Sequence, residues 1–192
     1  MNGYSFESSL EFGQVGENVI SQWLRKTLGY TVLPVYEKEG GDSKGPRLFT
    51  PTEGLIAPDM WAFRRENGDG KDSMFWAEAK HKSGFDWNFK YQRLVTGIDI
   101  RHYTDYLKIA DSSPKGMDFW LFFLQRGGRT KNSPTTTPSG LYFNSIHILR
   151  KNESHRHSGM VYWAEDALAK IADLEDVLTL QDELLTFRGG KK

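Results

Sequence analysis

Two strand-like runs joined by a tight-turn signal constrain this chain more than any other feature. Leu55 to Phe63 and Ser73 to Lys82 are rich in aromatic, branched and small apolar residues. Asn67-Gly68-Asp69-Gly70 between them is a strong hairpin signal. Each run nevertheless carries ionisable groups: Pro58-Asp59 inside the first, Glu78-Ala79-Lys80 inside the second. Side chains two apart on a strand share a face, so Glu78 and Lys80 point one way and Ala77 and Ala79 the other. Small alanines suit a strand face pressed against a helix. Hairpin pairing brings Asp59 within reach of Glu78.

The flanking pattern predicts an α/β chain. Val19, Ile20, Trp23, Leu24 and Leu28 recur at helical spacing, giving a helix over 16–28. Tyr30 to Tyr36 reads as a strand, and Glu37 to Gly54 as a long polar loop. Thr96, with Asp99 three residues on, looks like a variant capping box opening a helix to about Ala110. Ile100, Tyr103, Leu107 and Ala110 are its apolar stripe. Asp118 to Gln125, Leu141 to Leu149 and Met160 to Ala164 read as strands, and Ala164 to about Leu185 as a helix, acidic on its exposed side. No linker divides the chain, so one domain over 1–192 is expected, with a core at about 16–125 and additions at about 139–188.

Composition narrows the chemistry. The chain has no cysteine, which excludes disulfides, thiolate metal sites and a Cys nucleophile. Lysine plus arginine (25) balance aspartate plus glutamate (25), so the chain is not basic as a whole. Charge is uneven, however: basic residues outnumber acids between Lys80 and Lys108, whereas the ionisable residues of 171–185 are all acidic. No apolar run is long enough to span a membrane, and the first residues lack a basic-then-apolar pattern. The expectation is a cytoplasmic protein with no membrane partner. No phosphate-binding Gly-x-x-x-x-Gly-Lys-Ser/Thr loop is present, so no nucleotide cofactor is expected.

Ionisable groups on buried strands are costly unless paired or metal-bound. Two carboxylates suit a hard cation such as Mg²⁺ or Mn²⁺. With a lysine beside them, they fit phosphodiester hydrolysis, where charge develops on phosphoryl and leaving oxygens. The plainer reading is an ion pair of Lys80 with Glu78 or Asp59 on an ordinary sheet.

Pro58-Asp59 followed by Glu78-Ala79-Lys80 resembles the motif of the PD-(D/E)XK, restriction-endonuclease-like nuclease superfamily. Its core is a helix, a hairpin-bearing mixed sheet, a second helix and a further strand, the order read here. Glu17 lies where many members carry a first-helix glutamate. The resemblance implies a Mg²⁺- or Mn²⁺-dependent DNA nuclease. Asp59, Glu78 and the main-chain carbonyl of Ala79 would hold the metal, Lys80 would position water and stabilise the phosphorus centre, and Glu17 would bind a second ion or orient that water. A homodimer stays open under it. The alternative is a non-catalytic nucleic-acid-binding or assembly module that keeps the fold.

For nucleic-acid contact the candidates are Arg101, His102 and Tyr106 on the second helix, and Lys82. The helix offers His102 and Tyr106 where exonuclease-like relatives often have a Gln-xxx-Tyr pair, a departure from that branch. Lys82, Lys90 and Arg93 interleave with Phe85, Trp87, Phe89 and Tyr91, a mixture suited either to base stacking or to a half-buried connection. His155-Arg156-His157, in a polar loop without a third ligand nearby, is expected to be exposed and free of metal.

Overall fold

The computed structural model describes residues 6–35, 46–65, 72–130 and 133–180, with side chains from residue 13 onward. The predicted turn at Asn67–Gly70, residues 37–45 of the loop predicted over 37–54, and everything after 180 lie outside the described residues; the described part of that loop holds a short strand at Arg47–Phe49.

The first helix, α1 (Phe6–Lys26), starts earlier than its apolar stripe suggested. Gly16 does not interrupt it. A Cβ there would sit 2.7 Å from Cβ of His81, so the glycine lets the helix lie directly on a strand. After α1 come β1 (Thr31–Pro34), β2 (Arg47–Phe49), β3 (Gly54–Ile56), β4 (Met60–Arg64) and β5 (Ser73–Lys82). The second half of the chain supplies β6 (Asp86–Asn88), β7 (Arg93–Asp99), α2 (Ile100–Ser112), β8 (Met117–Gln125), β9 (Gly140–Ser145) and α3 (Ile146–Lys151). It ends with β10 (Glu153–His157), β11 (Met160–Ala164), a single 3₁₀ turn, β12 (Ala169–Ala172) and helical residues 174–180.

The centre is a six-stranded mixed sheet in the order β1-β4-β5-β8-β9-β12. β5 pairs antiparallel with β4 and parallel with β8, the crossover to β8 passing through α2. The expected helix, hairpin, helix and strand are thus all present. One face of the sheet packs on α1: Ala77, Ala79, Phe122 and Leu124 meet Val19, Ile20, Trp23 and Leu24. The other face packs on α2, α3 and a second, four-stranded sheet, β10-β11-β7-β6, through Leu121, Phe123, Tyr106, Ile98, Val161 and Trp163.

Several expectations need correction. The run from Leu55 to Phe63 is two strands, β3 and β4, split at Ala57-Pro58-Asp59 because Pro58 has no N–H to donate to a ladder. The second helix begins at Ile100 and its N-cap is Asp99, whose Oδ1 accepts the Arg101 N–H at 2.7 Å. Thr96 is instead in β7, opposite Trp163 of β11. The buried face of α2 is Tyr103, Tyr106, Ile109 and Ala110, so the predicted stripe is rotated. Leu141 to Leu149 is strand only to Ser145, which caps α3 by accepting the His147 N–H. The predicted helix from Ala164 is broken by β12, which pairs with β9 and extends the central sheet.

Candidate functional site

The break before β4 builds the site. Met60 pairs with Ala77, so Asp59 falls opposite Glu78 just where the main-chain ladder stops. Side chains take over its hydrogen bonds. The Ala79 N–H donates to Asp59 Oδ2 at 2.8 Å, and the Asp59 N–H donates to Glu78 Oε2 at 3.2 Å. On its other side the Asp59 carbonyl accepts the Val35 N–H at 2.9 Å, which ties the residue to the end of β1. The expected convergence of Asp59 with Glu78 is therefore present, and Lys80 joins it through an ion pair with Glu78 Oε1. Glu78 is 1% exposed, whereas the Lys80 side chain keeps 26% of its surface open.

The electrostatics are lopsided. Burial, then the nearby Glu78 and Glu17, push the Asp59 carboxyl well above the usual range, against the pull of Lys80 and the Ala79 N–H. Burial alone would lower the Lys80 amine, but Glu78, Asp59 and Glu17 together raise it, so Lys80 stays charged. Three carboxylates thus act on one ammonium. Lys82, two residues on and on the same strand face, is lowered to about 8 by burial and by Lys80.

Behind the carboxylates stands α2. The Tyr106 phenol is pushed well above its ordinary value by burial, by the negative Glu78 and Asp59, and by its hydrogen bond to Glu78. Its oxygen is also 3.2 Å from His102 Nδ1. With the phenol proton directed to Glu78, His102 must donate from Nδ1. Burial and Lys80 lower the pKa of His102, consistent with a neutral ring. Tyr106 is only 1% exposed, so it does not stand on an open helix face for an incoming phosphate. It supports Glu78, a role its spacing alone could not distinguish. Arg101 is exposed at the start of α2 and is held by Asp99, with Nη2 to Oδ2 at 2.9 Å. Asp105 turns elsewhere and accepts the Ile56 N–H at 2.9 Å, anchoring β3.

The sequence reading also missed a pair at the end of β5. Arg126 Nε donates to His81 Nε2 at 2.8 Å, and the Arg126 N–H donates to the Lys82 carbonyl at 2.9 Å. Alternation along β5 puts His81 with Ala77 and Ala79, a signal that was available, but its partner beyond β8 was not.

The donor set suits a hard divalent cation. It is all oxygen, and such an ion would relieve the burial and the neighbouring negative charge that together raise the Asp59 pKa. Among the described residues no group of three or more His, Cys, Asp or Glu side chains is arranged to hold a metal. Two carboxylates are enough for Mg²⁺, which keeps several of its waters.

The chain matches no family model, and no curated protein matches it significantly. Among solved structures, the Holliday junction resolvase Hjc of the archaeal hyperthermophile Archaeoglobus fulgidus is similar at 14% identity, over 86% of this chain and 99% of that one, with a TM-score of 0.46. Among the described residues no helix is long and apolar enough to cross a membrane.

Proposed function

We propose that this chain is a metal-dependent DNA nuclease that hydrolyses phosphodiester bonds at Asp59, Glu78 and Lys80. The reading rests on one observation: two carboxylates and a charged lysine meet where a strand break frees the main chain, and Asp59 accepts the N–H of Ala79. An ordinary ion pair of Lys80 with Glu78 needs neither the strand break nor the second carboxylate. The Pro58-Asp59 and Glu78-Ala79-Lys80 motif, in the element order that the nuclease resemblance implies, supports the same reading.

Asp59 and Glu78, with the Ala79 carbonyl, would hold Mg²⁺ or Mn²⁺. When bound, such a cation supplies positive charge against the phosphoryl and leaving oxygens. The residues of the chain do the rest. Lys80 is charged and partly open, so its ammonium meets the phosphate oxygens where negative charge grows and orients the attacking water. Glu78 fixes Lys80, and the His102–Tyr106 pair fixes Glu78. Glu17 adds negative charge beside Asp59 and takes the role of orienting the water or a second ion. Arg101 and Lys82 would contact phosphates flanking the scissile bond.

The test incubates the full chain with supercoiled plasmid, linear duplex and single-stranded DNA, each with Mg²⁺, Mn²⁺ or EDTA. Lys80→Ala and Asp59→Ala run beside it. Metal-dependent cutting that both substitutions abolish is the expected result. Cutting that survives both would overturn the assignment.

A further inference from the structure

The second sheet carries a cluster that the proposed chemistry leaves unused. On the face of that sheet turned away from Val161 and Trp163, the His155 and Tyr162 rings stack at 4.7 Å and 4°. Tyr162 covers Gly97 of the neighbouring strand. A Cβ on Gly97 would lie 2.7 Å from the tyrosine ring and 2.4 Å from the Val161 carbonyl, so only glycine lets the ring lie down here. Tyr91 continues the file, 5.6 Å from His155. The Asn88 amide holds His155 Nε2 at 2.9 Å. At the outer end Tyr91 is 39% exposed, and Phe89, two residues earlier in the same turn after β6, is 63% exposed.

Cations surround these rings. Lys90 Nζ lies 5.1 Å, and the Arg93 guanidinium carbon 5.4 Å, from the Tyr91 ring centre. Among the described residues neither has a carboxylate partner. Arg156 pairs with Glu153, and Asp86 lies near Tyr162 at the far edge. After burial, the neighbours His157, Arg93 and Lys90 all lower the His155 pKa, which marks this end as electropositive. Exposed rings flanked by unpaired cations match what a strand with unpaired bases requires: π faces for the bases and charge for the phosphates.

We propose that this face of the β6-β7-β10-β11 sheet is a second nucleic-acid contact, where Phe89 and Tyr91 stack unpaired bases and Lys90 and Arg93 hold the adjoining phosphates. The inference rests on the nuclease reading only for the identity of the polymer.

The experiment is fluorescence anisotropy of the full chain in EDTA, so that binding is read without cutting. The probes are a labelled oligothymidylate of about 20 nucleotides, longer than one such site spans, and a duplex of equal length. The double variant Phe89→Ala/Tyr91→Ala is expected to weaken single-strand binding at least about thirtyfold and to leave the duplex nearly unchanged. Lys90→Glu/Arg93→Glu should weaken both and flatten the single-strand salt slope by about 1.4. Thermal unfolding like that of the unsubstituted chain shows that each variant is folded. No single-strand binding by the unsubstituted chain, a silent aromatic variant, a silent charge variant, or equal aromatic losses on both probes would each overturn the proposal. The two readings are separated by the assay: cutting by the unsubstituted chain in Mg²⁺ reads the nuclease proposal, and binding in EDTA reads the platform. A chain that binds here but never cuts loses the nuclease reading and keeps the platform.

Discussion

The two faces of β5 obey opposite rules. Toward α1 it presents Phe75, Ala77, Ala79 and His81, and the first three are buried among apolar side chains. Toward α2 it presents Trp76, Glu78, Lys80 and Lys82. One strand therefore presents apolar side chains on one side and ionisable ones on the other, and the period of two keeps them apart. The α1 face is not filled everywhere: a cavity of about 500 Å³ lies near the start of β5 and β8, between Trp23, Tyr30, Phe75, Trp120 and Phe143. On the other face Tyr106 is buried against Glu78, while Lys80 keeps 26% of its side-chain surface open.

Asp59→Asn should break the comparison most strongly. Loss of a carboxylate that supports a cation worth several kcal/mol to the transition state predicts a fall in cutting of at least about 100-fold. In EDTA the same change should stabilise the protein by about 1 kcal/mol, or about 2–4 °C in melting temperature, because a crowded negative charge is removed. Gel-based cutting assays and calorimetry read the two halves; a variant that melts earlier in EDTA would contradict the charge argument.

Ala77→Leu attacks the other face. Ala77 is fully buried against α1, so the added methylenes overpack the contact and should cost about 1–3 kcal/mol. Chemical denaturation measures the loss, and cutting per folded molecule should hold. A selective loss of cutting at unchanged stability would mean that the two faces are not separate.

Tyr106→Phe sharpens the boundary. It removes the hydrogen bond to a buried carboxylate, about 1.5 kcal/mol of stability, while Lys80 and the Asp59 N–H still satisfy Glu78. Cutting should then need a few-fold more Mg²⁺ for its half-maximal rate. A metal titration identical to that of the unsubstituted chain would reduce Tyr106 to core packing.

The pH dependence is the smallest effect. The pKa of Asp59 is raised in the folded state, so its contribution to stability is complete below about pH 4, the unfolded value, and is lost as pH rises through the folded value. Saturating Mg²⁺ should remove that fall. Lys82 behaves oppositely: with its pKa lowered to about 8, the unfolded chain binds more protons from about pH 8 to 10.4, and stability rises there. Melting temperatures across pH for the unsubstituted chain and Lys82→Met check both slopes.

What could be read from the sequence follows the same division. β5 was legible to the residue, because alternation and the flanking aromatics are local. Asp59 beside Glu78 was legible because a hairpin leaves few registers. The start of α2 was not: Thr96-Gly97-Ile98-Asp99 imitates a cap, and only pairing with β11 makes it a strand. Thr96 spends its hydroxyl on buried Gln125 at 3.1 Å, a partner twenty-nine residues away. Ala169 to Ala172 has helix-favouring residues, yet β9 recruits it as an edge strand, tertiary pairing overriding propensity. The Tyr106 phenol was visible as a polar residue on a helix, but its direction depended on the rotation of that helix.

The link from Asp59 to the Ala79 N–H also acts as a gauge of alignment. A shift of β4 by one residue along β5 would leave that N–H without its acceptor and take Asp59 away from Glu78 in the same step. The number of residues separating the two carboxylates along the chain can therefore drift through insertions beyond Arg64 without disturbing the chemistry. A single residue inserted between Asp59 and Met60 could not be absorbed in this way. In a lineage of such chains, length variation should accumulate at the far end of the hairpin and stop abruptly at this link.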